Sequence, residues 1–140
     1  MSRQELVQQV EQTLIGLGFT ENKSASVMCY RKNVSYPGLI QGQNSHAHFL
    51  VYAPRGTLQI NVKFQQTSGT AIEKLAYCAD DAETTEFDRY VVVCGGEQLL
   101  RNNCAINYLR SRQHRAPKLL PTTIDMLGHY LAPYLDPRAA

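Results

Sequence analysis

Asn61-Val62-Lys63-Phe64-Gln65-Gln66-Thr67-Ser68-Gly69-Thr70-Ala71-Ile72-Glu73-Lys74-Leu75 is the stretch on which the fold of this chain turns. Leading into it, Thr57–Phe64 alternates, with Leu58, Ile60, Val62 and Phe64 on one face. Gln59, Asn61, Lys63 and Gln65 share the other. A period of two predicts a strand covered on its apolar face. A row of polar side chains on the second face suits a binding groove, and a solvated outer face has the same pattern. Just upstream, His48–Ala53 is a compact apolar run, and Pro54-Arg55-Gly56 is a turn. The two runs form a hairpin with a three-residue turn. Downstream, Thr67–Thr70 reads as a turn and Ala71–Tyr77 as a short helix.

Further out, residues 3–17 repeat Leu6, Val10, Leu14 and Leu17 at helical spacing, with Ser2 and Glu5 placed as a capping box and Gly18 as a stop. Val27–Lys32 is a strand candidate, and 33–45, with Pro37, Gly38 and Gly42, reads as a loop around Leu39-Ile40. Asp80–Asp88 is acidic and is expected as an exposed loop. Tyr90–Cys94 is apolar without alternation, which predicts a strand covered on both faces and ending at Gly95-Gly96. Glu97–Arg112 reads as one helix, Lys118-Leu119-Leu120 as a short strand, and Thr123–Leu135 as a closing helix that Pro133 limits. This order predicts an α/β fold, with a mixed sheet and helices on both sides, as a single domain over 1–140.

A chain of 140 residues suits one core, and 44% hydrophobic residues argue against disorder. A net charge of +2 identifies no partner by itself, so a nucleic-acid surface would have to be a local patch. No apolar run reaches the roughly 18–20 residues of a membrane span, and no secretory signal is visible, so a cytoplasmic protein is expected. Cys29, Cys78, Cys94 and Cys104 lack the spacing of a zinc knuckle, and Cys94 reads as a buried free thiol.

Over most of its length, from Leu6 to Leu131, the chain resembles the PD-(D/E)xK, or restriction-endonuclease-like, nucleases. The specific part is Lys63–Leu75: lysine, aromatic, glutamine, a Ser-Gly turn, then Glu73-Lys74 opening a helix. The resemblance implies a metal-dependent endodeoxyribonuclease fold whose site residues fall on Lys63, Gln65, Asn61, His48, Glu11 and Glu73. It also shows the departures. The family's strand aspartate falls on His48, and the acid of its acid-x-lysine motif on Asn61. Such enzymes hold Mg²⁺ or Mn²⁺ through carboxylate oxygens. Asn offers one weak carbonyl, and His a nitrogen better suited to softer metals. Two substitutes are conceivable: Glu73 and Glu11 as displaced ligands beside His48, or His46 and His48 with Glu11 as a softer-metal site.

Arg101, Arg110, Arg112, Arg115 and Lys118 form a basic block with no acid between Glu97 and Asp125. With Lys74, Ser68 and Thr70 they are candidate phosphate contacts; a solvated helix end is the alternative. Three functions follow as expectations. The first is a nuclease-fold nucleic-acid-binding protein, with DNA as the partner and cleavage weak or lost. The second is an active endonuclease with displaced ligands. The third is a phage or mobile-element interaction protein acting on a protein partner. Oligomeric state stays open.

Overall fold

The computed structural model describes residues 1–137. Helix α1 (Arg3–Gly16) is followed by strands β1 (Thr20–Glu21), β2 (Cys29–Pro37), β3 (Asn44–Ala53) and β4 (Gly56–Phe64). Helix α2 (Ala71–Glu83) and strand β5 (Arg89–Gly95) come next. The chain closes with α3 (Glu97–Leu100), α4 (Cys104–Ser111), β6 (Leu119–Thr122) and α5 (Ile124–Leu131). The six strands lie in one mixed sheet in sequence order. β2, β3 and β4 are an antiparallel meander, and β4, β5 and β6 run parallel. This is the α/β architecture expected from the sequence.

Each face of the sheet carries its own core. Leu6, Val10 and Leu14 of α1 and Leu127 and Leu131 of α5 pack on Leu58, Ile60, Val62, Val91 and Val93. Leu75, Cys78 and Ala82 of α2 and Ile106 and Leu109 of α4 pack on Tyr90, Val92 and Cys94. β5 is buried on both faces, as its unbroken apolar run predicted. Ser2 Oγ accepts the Glu5 N–H at 3.1 Å, and Gly18 sits at φ +100° just past the end of α1. The four cysteines are free thiols, with Cys78 and Cys94 buried. No helix among the described residues is long and apolar enough to cross a membrane.

Several boundaries differ from expectation. β2 runs on to Pro37 and β3 starts at Asn44, so the expected 33–45 loop shrinks to a tip around Leu39 and Ile40. Pairing between the two strands holds this arm together well beyond Lys32. α2 continues to Glu83, because Cys78, Ala79 and Ala82 extend its buried face through what was expected to be an acidic loop. The expected Glu97–Arg112 helix is broken where Asn102 and Asn103 adopt left-handed backbone at φ +52° and +57°. The closing helix ends at Leu131, with a tighter turn over Ala132–Tyr134 carrying Pro133.

A donor-rich recess where the strands part

β3 and β4 pair only from Phe49↔Ile60 to Ala53↔Gly56. Beyond that point they diverge: β3 pairs with β2 alone and β4 with β5 alone. The fork needs a partner for the Val62 N–H, and His48 Nδ1 accepts it at 3.0 Å. The β2–β3 ladder skips the pair Asn33 and His48, with Asn33 in left-handed backbone at φ +53°. His48 Nε2 lies 2.9 Å from Arg3 Nη2, on the first turn of α1.

A neutral imidazole has one acceptor nitrogen, yet two N–H groups are aimed at this one. Val62 N–H is buried within the strand and takes that acceptor. Nε2 therefore carries the proton and meets the Arg3 guanidinium donor to donor. Burial, then the Arg3 and Lys63 charges, push the His48 pKa down from 6.5 to about 4, so the ring is neutral near pH 7. Arg3, Lys63 and Lys74 line one recess of about 90 Å³, with Val62, Phe64 and Ala71. Arg3 also lines the adjoining hollow over His48 and Asn33. No carboxylate lines either, and none among the described residues pairs with these three cations. The first turns of α1 and α2 meet here from opposite faces of the sheet, adding their positive ends.

The other expected site residues lie elsewhere or do other work. Asn61 is 6% and Gln59 1% exposed, so their side of β4 is a buried polar layer and not an open groove. Gln59 Nε2 donates to the Tyr36 hydroxyl at 2.8 Å and to Asn61 Oδ1 at 3.2 Å. Asn61 Nδ2 donates to the Tyr90 hydroxyl at 3.2 Å, and Tyr90 donates to Asp81 Oδ2 at 2.8 Å. Tyr36 donates to that same carboxylate oxygen. Burial first, then Asp81, raises the Tyr36 pKa to about 12, and Tyr90 is raised in the same direction by burial. All the protons therefore run toward Asp81, which is 4% exposed on α2.

Glu11 holds β2 to α1, accepting from the Tyr30 hydroxyl at 2.6 Å and pairing with Lys32 at 3.3 Å. Glu73 is exposed on the first turn of α2, and His46 is exposed opposite Ser35. Gln65 ties the end of β4 to the start of α2. Its Oε1 accepts the Ala71 N–H at 3.3 Å, and its backbone packs so closely on Gly96 that a Cβ there would lie 2.4 Å from Gln65 O. Ser68 and Thr70 lie in the exposed turn before α2. In the basic block, Arg112 pairs with Asp80 at 3.5 Å, Arg115 with Glu83 at 3.8 Å and Arg101 with Glu97 at 3.0 Å. Lys118 donates to the Thr85 carbonyl at 3.2 Å. Arg110 lines a separate shallow hollow with Asn103 and Tyr130.

A hard divalent cation does not fit this donor set. One His48 nitrogen is taken by Val62, the other faces a guanidinium, and Glu11 and Asn61 are spent on structural bonds. No group of three or more His, Cys, Asp or Glu among the described residues is placed to hold a metal. Sequence reasoning missed Arg3, Tyr36, Asp81 and Tyr90. Asp81 was detectable, since it falls within the apolar period Leu75, Cys78, Ala79, Ala82. Arg3 was not, because only the fold brings the start of α1 to the end of β4. A family model described as PD-(D/E)XK nuclease superfamily domain matches residues 1–128. No curated protein and no solved structure matches the chain.

Proposed function

This chain belongs to the PD-(D/E)XK nuclease superfamily, and we propose that it uses that fold to grip a nucleic-acid phosphate without metal-dependent cleavage. The observation that carries this reading is the donor-to-donor contact of His48 Nε2 with Arg3 beside Lys63. Acceptors belong in a cation site, and here the convergent groups are donors. A phosphodiester oxygen placed between Arg3 and His48 accepts from both, and Lys63 and Lys74 supply further charge. Replacing two acids by His48 and Asn61 thus turns a site for a hard cation into one for an anion. DNA is the proposed partner, in an intracellular setting.

The test is fluorescence anisotropy of labelled duplex DNA, single-stranded DNA and RNA across a salt series, beside a plasmid-nicking assay with Mg²⁺ or Mn²⁺. We expect salt-dependent binding that Arg3→Ala or Lys63→Ala weakens about tenfold each, and no nicking. Nicking that Lys63→Ala abolishes would overturn the reading in favour of an active endonuclease. Absence of salt-dependent binding to all three probes would overturn it in favour of a protein partner.

A further inference from the structure

A second cavity, of about 270 Å³, opens between the end of β2, the first half of β4 and the C-terminal end of α2. The recess at Lys63 is lined by a different set of residues. Two acceptor atoms of the buried residues Asp81 and Gln59 on its wall have no donor among the described residues. Asp81 receives both phenol protons on Oδ2, and nothing among the described residues donates to Oδ1. Gln59 spends Nε2 on Tyr36 and Asn61, and nothing donates to its Oε1. Neither atom is sealed in, since Arg112 Nε is the one fully enclosed side-chain nitrogen or oxygen without a partner among the described residues. Both residues line the cavity. Each atom is therefore open to the cavity, and a donor that enters it finds an acceptor to pair with.

The surroundings specify the donor's charge and shape. Glu86 adds a second carboxylate at the rim, and no basic side chain lines the cavity. The neighbouring cations are committed: Arg112 to Asp80, Arg115 to Glu83, and Lys118 to the Thr85 carbonyl. The negative end of α2 lies alongside. Tyr36 and Phe87 supply aromatic surface. Two separated acceptors, a rim carboxylate and ring faces match a flat, multi-donor cation better than a compact ammonium. We propose that this cavity is a binding site for a guanidinium group, held by Asp81 and Gln59 and stacked against Tyr36 or Phe87. The site is separate from phosphate binding at Lys63 and does not depend on it.

The test is an amide and side-chain NH₂ NMR titration of the full chain. The probes are free arginine, an Ala-Arg-Ala peptide blocked at both ends, and the same peptide with citrulline, which keeps the shape and lacks the charge. We expect saturable shifts at the Gln59 side-chain amide and at Thr85 and Glu86 with an arginine probe, and none with citrulline. Tighter binding of free arginine points to a small metabolite; tighter binding of the peptide points to a partner's side chain. Asp81→Asn should abolish the shifts. Because that change can also disturb folding, Phe87→Ala and Glu86→Gln serve as surface variants. They should weaken binding about tenfold and about threefold while leaving the rest of the spectrum in place. Equal shifts with citrulline, no shifts with either arginine probe, or no effect of the two surface variants would overturn the assignment. Nucleic-acid binding measured on the same samples should be unchanged by the two surface variants.

Discussion

His48 closes the fork between β3 and β4 by lending a lone pair to the Val62 N–H, and an imidazolium has no lone pair to lend. That single requirement couples the fold to pH. The folded-state pKa of His48 lies near 4 against an ordinary 6.5, a depression caused first by burial and then by Arg3 and Lys63. Between those values the unfolded chain binds a proton that the folded chain refuses. This contribution to stability is therefore complete above about pH 6.5 and is lost as pH falls toward 4. The ring is partly exposed, so solvent screening keeps the slope below the limiting value of about 1.4 kcal/mol per pH unit. Urea unfolding midpoints should drop between pH 7 and pH 4.5 in the native chain. They should drop less in His48→Gln, which keeps an acceptor and loses the titration. Parallel pH profiles for the two proteins would show that His48 does not close the fork in this way.

At the scale of elements, a buried layer of amides and phenols ties β2, β4 and β5 to α2. Its directionality explains why an amide suits position 61. Asn61 donates to Tyr90 and accepts from Gln59, which leaves the Tyr90 proton for Asp81. Asn61→Asp would set two carboxylates against one phenol proton in a buried place. We expect it to destabilise the fold by about 2–4 kcal/mol in urea titrations. Adding Asp81→Asn should return at least about 1 kcal/mol of that loss, because the pair is coupled through Tyr90. Strict additivity of the two changes would break the network apart. The alternation of β4 was legible in the sequence, as were the unbroken apolar run of β5 and the cap of α1, since each rests on local periodicity. The purpose of the polar face of β4 was not. A strand shows which side chains share a face, and only the packing of α2 over Gln59 and Asn61 decides that the face is interior. The same reasoning accounts for the Glu97–Arg112 stretch, whose helical period is intact while two asparagines in left-handed backbone break it at 102 and 103.

Across the whole molecule, charge is sorted by pairing more than by sequence position. The block from Arg101 to Lys118 contains no acid, and read linearly it is the most basic part of the chain. In three dimensions α2 lies beside it, and Asp80 and Glu83 engage Arg112 and Arg115. The cations without a carboxylate partner at the recess are Arg3, Lys63 and Lys74, and the fold brings the distant Arg3 to the two lysines at the end of β4. Lys63 and Lys74 were legible as site residues through the nuclease resemblance, whereas Arg3 requires the tertiary fold. This sorting has a measurable consequence for duplex DNA. Three phosphate contacts correspond to a slope of about −2.7 in log K against log salt concentration. Lys63→Ala should make that slope shallower by about 1. The double variant Arg112→Gln and Arg115→Gln should leave it unchanged, because those guanidiniums already face carboxylates. A shallower slope in the double variant, with none in Lys63→Ala, would move the polyanion track from the fork to the surface shared by α2 and α4.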